Sequence, residues 1–360
     1  MIISTIGMEF QGFFTGKGNP YKVTFQAIGG RCYVRMFFEN HIHERLIDAT
    51  ISEEGVWNFH PDSPFIKSLI KCKKNDEVVV ISDGLTVVTT TVGTSKTRCL
   101  ADSGEMWNPW ETLQEIGYVE EGDRIAKLMT FVRTAATPKS KLSPDSLTEL
   151  TITRRQGEKG LKIFGVCKIG IGIVEGVTKC VSDEIIGIDC NGIKLQSKMG
   201  LTHLLANDKY LSLRCGADTI HIKRKTESPR VSPDGVKAIF DNAGESTIVE
   251  RVGNGALKKA LKMALSYVPK RHQYARVMYN PDYDEFGIFT EPTFDSAIEW
   301  NGQPCNCVEW GMMDSVSVNI PATMRILDGL GEELTIKYTE SRVVFLSDQS
   351  QDFVIIGEIE

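Results

Sequence analysis

Ile320 to Asp348 reads IPATMRILDGLGEELTIKYTESRVVFLSD. A short amphipathic helix leads into an acidic turn and then two alternating strands joined by a tight reversal. The same order occurs twice upstream, in SPFIKSLIKCKKNDEVVVISDGLTVVTTTVG (Ser63 to Gly93) and SKMGLTHLLANDKYLSLRCGADTIHIK (Ser197 to Lys223). Aligning Glu77, Lys209 and Glu333 spaces the copies by about 132 and about 124 residues, too long for a solenoid and about the length of a domain. A second pair of helices, near Lys127 and Lys258, repeats at about 131 residues, so the second and third units each carry two helix-plus-strands halves. The expected organisation is three similar domains, at 1–113, 114–245 and 246–360.

Composition fits a globular protein of that size: 360 residues, 41% hydrophobic and 24% charged, enough for several cores. No apolar run reaches bilayer-spanning length, and MIISTIGMEFQGFF at the start lacks the basic and cleavage-site pattern of a signal peptide. Nine scattered cysteines fit a reducing cytoplasm. A net charge of −6 argues against a surface that binds nucleic acid throughout, while leaving room for a local basic face.

Along the chain, Tyr21 to Ile28 and Arg31 to Phe37 alternate around Gly29-Gly30 as a hairpin, with further strands expected at Leu46 to Ile51 and Val56 to Phe59. Ser63-Pro64 is a helix start, a hydroxyl N-cap before a proline, and Phe65, Ile66, Leu69 and Ile70 form the apolar face. The next hairpin turns at Asp83-Gly84. Ala101 to Glu111 reads as an interdomain connection, and Glu227 to Glu245 as another. A helix opens near Asp123 with Ile125, Leu128, Met129 and Val132 inward, and Thr137 to Asp145 is an exposed loop. Ala256 to Val268 is the clearest helix, with Leu257, Ala260, Leu261, Ala264 and Leu265 as its stripe and Pro269 as its stop. Met8 to Phe14 is a poor candidate for a helix. Asp352 to Glu360 reads as an apolar strand docked in a sheet.

The polar faces of these helices are basic more often than acidic, although acids outnumber bases 47 to 41. The first carries Lys67, Lys71, Lys73 and Lys74; the second Arg124, Lys127 and Arg133; the third Lys258, Lys259 and Lys262. Lys198 and Arg325 join them from the helices of the second and third copies. Any one such face can be a merely solvated surface, but the recurrence marks these residues as candidates for non-specific phosphate contact. No helix-turn-helix, zinc finger or aromatic stacking motif points to base reading.

Enzyme signatures are thin. Gly170 to Gly176, GIGIVEG, fits neither the dinucleotide fingerprint nor the P-loop and reads as strand and turn glycines. His41 and His43 share a strand face without a matching Cys or carboxylate cluster, so surface histidines are expected rather than a metal pair. Cys305 and Cys307 are expected as buried cysteines on one strand face. No cofactor, metal site or catalytic residue is expected.

Three tandem units of helix-and-strand halves with lysine-bearing helices resemble the bacterial-type DNA polymerase sliding clamp, the beta subunit of the replicase. The likeness is best at the end of the first unit (VVVISDG, LTVVTTT, then an acidic segment) and over NIPATMRILDGLGEELTIKYTESRVVFLSDQSQDFVIIGEIE, Asn319 to Glu360. Departures are the missing first helix, an unrecognisable Thr-Asp-Gly-His-Arg-Leu stretch, and Ile355 to Glu360 in place of a proline- and methionine-rich terminal peptide. A divergent clamp, such as one encoded by a phage, would show this pattern. The resemblance implies an α+β fold of three DNA-clamp domains, antiparallel sheets outside and helices lining a central channel. It implies a non-enzymatic processivity factor, working in the cytoplasm as a head-to-tail homodimeric ring around double-stranded DNA. Polymerase and clamp loader would insert short peptide motifs beside the C-terminal strand, at Val354, Ile356 and Ile359, with Val174 and Gly176 as the opposite wall. The alternative for those isoleucines is that they only close the sheet. The rival function is a structural virion or scaffold protein of repeated beta-rich domains, and the third an enzyme with an unreadable site. Recurrent basic helices favour the clamp.

Overall fold

The computed structural model describes residues 2–14, 18–82, 87–135, 149–153, 160–167, 170–179, 185–195, 199–226, 246–270, 273–290, 298–311, 315–328, 330–339, 342–347 and 353–357. Asp83-Gly84, Thr137 to Asp145, Lys198, Glu227 to Glu245 and Ile359 lie outside them.

Antiparallel strands dominate three runs of elements of similar order, although the helix expected at the head of the second copy is not among the described residues. The first run has β1 (Ile2–Ile6), a single 3-10 turn (Gly7–Phe10), β2 (Lys22–Ile28), β3 (Arg31–Phe37), β4 (His41–Ile47), β5 (Thr50–Glu53) and β6 (Gly55–Phe59). Helix α1 (Pro64–Lys71) follows, then β7 (Glu77–Ser82), β8 (Val87–Val92), β9 (Ser95–Leu100) and the short β10 (Asp102–Ser103). The second run has β11 (Gln114–Val119), α2 (Asp123–Ala135), β12 (Glu149–Thr153), β13 (Leu161–Cys167), β14 (Gly170–Thr178) and β15 (Ile185–Asp189). It ends with β16 (Thr202–Ala206), β17 (Tyr210–Cys215) and β18 (Asp218–Lys223). The third has β19 (Thr247–Gly253), α3 (Asn254–Tyr267), β20 (Tyr274–Asn280), β21 (Glu285–Phe289), β22 (Asn301–Pro304), β23 (Asn306–Glu309) and β24 (Val316–Asn319). It closes with α4 (Ile320–Leu327), β25 (Glu333–Thr339), β26 (Arg342–Ser347) and β27 (Phe353–Gly357).

The chain forms two compact units, Met1–Gly122 with Gly192–Arg224, and Asp123–Asn191 with Lys225–Glu360. In the first, β5-β1-β7-β8-β9 make one sheet. A longer sheet runs β10-β6-β2-β3-β4-β18-β17-β16-β11, each neighbour antiparallel. In the second unit β22-β21-β20-β24 form one sheet, and the other runs β23-β19-β25-β26-β27-β14-β13-β12-β15. Two seams therefore join strands far apart in sequence: β4 with β18, and β14 with β27. In each, the fourth strand of one run pairs with the last strand of the following run.

The first unit is built on an aromatic core in which Phe25, Phe59 and Phe65 meet at ring-centroid distances of 5.0 to 5.6 Å. The 3-10 turn stands where α2 and α3 stand in the later runs. Phe10 and Phe13 are buried there, so this half plugs its core with two rings instead of a helix. The expected strand Leu46 to Ile51 is divided. Leu46 and Ile47 finish β4, the chain turns at Asp48, whose N–H donates to Glu9 Oε2 at 3.0 Å, and Thr50 opens β5 in the other sheet.

Seam β4–β18 carries charge on both faces. Arg45 donates to both carboxylate oxygens of Asp218 at 2.6 and 2.7 Å. On the opposite face buried Arg35 donates to Glu44 Oε2 and Gln26 Oε1, each at 2.6 Å, and Trp110 Nε1 donates to Glu44 Oε1 at 2.9 Å. Burial alone would raise the Glu44 carboxyl, but His221 and Arg35 beside it outweigh that and hold it below its ordinary value. The connection Ala101 to Glu111 is thus packed rather than loose. It adds β10 to the sheet and lays the Trp107 ring over Arg35 at 4.8 Å.

His41 and His43 are not surface histidines: they are 2% and 1% exposed. Pairing with β3 and β18 closes both edges of β4, and its histidine face is covered by Phe38, which stacks on His41 at 4.4 Å and meets His43 edge-on. Burial lowers His41 to about 4. Cys305 and Cys307 differ from expectation the other way. Both are half-exposed, because Cys305 lies between β22 and β23, which belong to different sheets. Among the described residues no group of three or more His, Cys, Asp or Glu is arranged to hold a metal.

Candidate nucleic-acid interface and partner groove

Helix α1 starts where the sequence indicates: Ser63 Oγ accepts from the Ile66 N–H at 3.4 Å, with Pro64 as the first helical residue. Phe65, Ile66 and Leu69 are buried, whereas Ile70 is 48% exposed and not part of the apolar face. Lys67, Lys71, Lys73 and Lys74 are exposed.

Helix α2 packs Ile125, Leu128, Met129 and Val132 inward, against β13 and β14. The glycines of GIGIVEG acquire a reason here. A Cβ on Gly172 would stand 2.5 Å from Leu128 Cδ1, and one on Gly165 2.7 Å from Leu128 Cδ1 and Val132 Cγ2. These strand glycines make room for the helix. Arg124 and Arg133 are half-buried rather than solvent-facing; Lys127 is exposed.

Helices α3 and α4 are fastened end to end by a residue that sequence reading passed over. Asn254 is buried, and its Nδ2 donates to the carbonyls of Leu327 (2.8 Å) and Gly331 (2.7 Å), satisfying carbonyls at the end of α4. A buried side-chain amide at a helix start leaves no periodic signal. Helix α4 is capped by Asn319, whose Oδ1 accepts from the Ala322 N–H at 3.0 Å. Lys259, Lys262 and Arg325 are exposed, and Lys258 is half-buried.

Helix α4 packs against both α3 and α2. The three helices therefore lie together in the second unit, packed on its strands. Helix α1 carries its lysines in the first unit. Some charge is already spoken for: Lys67 pairs with Asp62 (3.3 Å), Lys127 with Asp123 (3.2 Å) and Lys258 with Asp328 (3.3 Å). Such exposed pairs are worth about 0–1 kcal/mol, so a phosphate can displace them. Among the described residues Lys71, Lys259, Lys262 and Arg325 have no acidic partner. This arrangement suits exchangeable phosphate contacts on rotatable side chains.

At the second seam β27 pairs with β14 and β26, Ile356 opposite Gly170 and Val343, Val354 opposite Gly172 and Phe345. Val174 is buried at 3% exposure and Gly176 is half-buried. The expected wall thus offers its Val174 side chain to the core.

Comparison with solved structures identifies the architecture. The DNA polymerase sliding clamp of Bacillus subtilis superposes with a TM-score of 0.74, at 10% identity, over 100% of this chain and 99% of its own. That of Pseudomonas aeruginosa also gives 0.74, at 8% identity over all of both chains, and that of Caulobacter crescentus 0.70, at 11% over all of both. The chain has the sliding-clamp fold. No protein-family model matches its sequence, and no curated protein does either. The described elements, mostly antiparallel sheet with few helices, match that fold of repeated domains.

Proposed function

We propose that this chain is a DNA sliding clamp, a non-enzymatic processivity factor that encircles duplex DNA and tethers a replicative polymerase. The observation that carries the reading is the clamp fold over the full chain combined with exposed helix bases that have no acidic partner among the described residues. A ring held by topology needs no tight contact, and Lys71, Lys259, Lys262 and Arg325 offer loose, salt-sensitive ones. Lys67, Lys73, Lys74, Arg124, Lys127, Arg133, Lys198 and Lys258 complete the set. The domains are 1–113, 114–245 and 246–360, their boundaries crossed by the two continuous sheets.

The seams argue for a head-to-tail homodimer. Inside the chain, β4 and β14 each receive the last strand of the following repeat. The corresponding strand of the third repeat is β22, and the last of the three strands after α1 in the first, ahead of the connecting β10, is β9; both are sheet edges among the described residues. Pairing β22 of one copy with β9 of another extends the same rule across chains and closes a ring of six domains. Charge supports it: Lys96 and Arg98 are exposed on β9, while Asp282, Asp284 and Glu299 are exposed on the segments flanking β21 and β22.

Polymerase and clamp loader engage beside β27, at Val354, Ile356 and Ile359 with the Val174–Gly176 strand as neighbour, through short peptides with apolar anchors. One Caulobacter crescentus clamp structure holds a polyethylene glycol at a region described as tethering the beta-motif. The low identity fits a divergent, phage-encoded clamp acting in the cytoplasm of its host. The deciding experiment is retention after loading on circular DNA compared with the same DNA linearised. A clamp stays on the circle and slides off the free ends; equal retention on both refutes it, and a large polymer in size exclusion favours the structural-scaffold reading.

A further inference from the structure

Strand β23 is an edge that lacks the usual protection. It pairs with β19 alone among the described residues, and it exposes Val308 at 57%, with Trp310 just beyond it at 66%. Tyr283, 69% exposed, sits in the β20–β21 turn, beside which the Cys305 N–H donates to the Asp284 carbonyl at 3.3 Å. The Trp310 ring stands edge-on to Tyr279, 6.5 Å between centroids.

The equivalent strand of the first repeat shows what an idle edge looks like. Strand β5, which follows β4 as β23 follows β22, exposes Thr50, Ser52 and Glu53, polar residues that discourage edge pairing. It also shows that seams leave this edge uncovered, since β5 pairs only with β1 while β4 pairs with β18. Ring closure through β22 therefore does not account for the apolar residues of β23.

The surroundings are acidic. Glu309 lies on the strand, Glu250 stands opposite Asn306, and Asp284 is close enough to raise the thiols of Cys305 and Cys307, adding to burial. Lys337 lies two strands in, across Ile248 from Glu309. We infer that β23 is a docking edge for an extended segment of a partner protein. That segment adds a strand, sets a bulky apolar residue against Val308 and Trp310, and directs lysines or arginines at Glu309 and Glu250. Main-chain hydrogen bonds supply affinity in this mode and alternate side chains supply selectivity.

The test uses the full chain without DNA and a short fluorescein-labelled peptide in which Lys alternates with Val and Leu. Saturable binding by anisotropy at physiological salt is expected. Trp310→Ala and Val308→Lys should each weaken it at least about tenfold, as should replacing the peptide's Lys with Glu. Glu53→Lys, on the idle edge, should change nothing, and unchanged thermal unfolding certifies each variant. Binding that ignores Trp310→Ala and Val308→Lys overturns the assignment. So does protection of residues 306–309 from hydrogen exchange that rises with protein concentration alone, because a second copy would then be the occupant. Failure of DNA retention would sink the clamp reading and leave this result standing.

Discussion

Gly172→Ala should loosen α2 from the sheet, and Leu128→Ala should partly restore it. A new Cβ at residue 172 would lie 2.5 Å from Leu128 Cδ1, with Phe131 Cδ1 at 3.4 Å on the far side. Carbon contacts are comfortable at 3.5–4.0 Å, so Leu128 must retreat by about 1 Å into a region where Val132 is fully buried. Overpacking of this kind costs about 1–3 kcal/mol. Leu128→Ala alone opens a cavity and costs about 2–5 kcal/mol. In the double variant the added methyl enters the space the leucine leaves, so the two costs should fall short of their sum by about 1–2 kcal/mol. Hydrogen exchange of the amides in residues 123–135, followed in rising urea, reads the helix itself and does not require the whole chain to unfold in one step. Additive single costs, or a Gly172→Ala protein with wild-type exchange over α2, would refute the close-approach argument.

Reversing Lys71, Lys259, Lys262 and Arg325 to Glu should lower the salt dependence of DNA association by up to about four units of log–log slope per chain; an unchanged slope removes these residues from the DNA face. Lys96→Glu with Arg98→Glu should shift the size-exclusion mass from twice 40.1 kDa toward the single chain, and a persistent dimer would place the contact elsewhere. Deleting Glu358 to Glu360 should abolish polymerase stimulation and leave thermal stability intact. Deletion from Ile356 onward should also destabilise, because it removes rungs to Gly170 and Val343. Below about pH 6.5 the unfolded chain protonates His41 while the folded chain resists until about 4. The unfolded state then binds more protons, so stability falls as pH drops through that window, by on the order of 3 kcal/mol. His41→Gln should flatten that limb of a urea-midpoint series against pH.

Local patterning was enough for much of this architecture. The strand pairs of the three copies, the Ser63-Pro64 helix start, the Gly29-Gly30 hairpin and the apolar stripes of α2 and α3 were legible, because each depends on residues within a few positions of one another. The resemblance of the closing stretch from Asn319 to a clamp followed from the same local order. Other features depended on partners remote in sequence. That His41 and His43 are buried required knowing that β4 is flanked by β3 and by β18, more than 170 residues away; nothing in His-Ile-His distinguishes an interior strand from an edge. Gly165 and Gly172 read as turn or strand glycines until α2 was laid across them. The half-burial of Arg124 and Arg133, the exposure of Ile70, and the Arg35–Glu44 pair beneath Trp107 and Trp110 belong to the same class. Period and capping are written locally, and so most helices and strands and the spacing of the repeat could be read from residue order. Which edges are paired, which charges are free and which are buried emerge from the folded chain alone, because strand pairing joins residues whose separation along the chain carries no periodic trace.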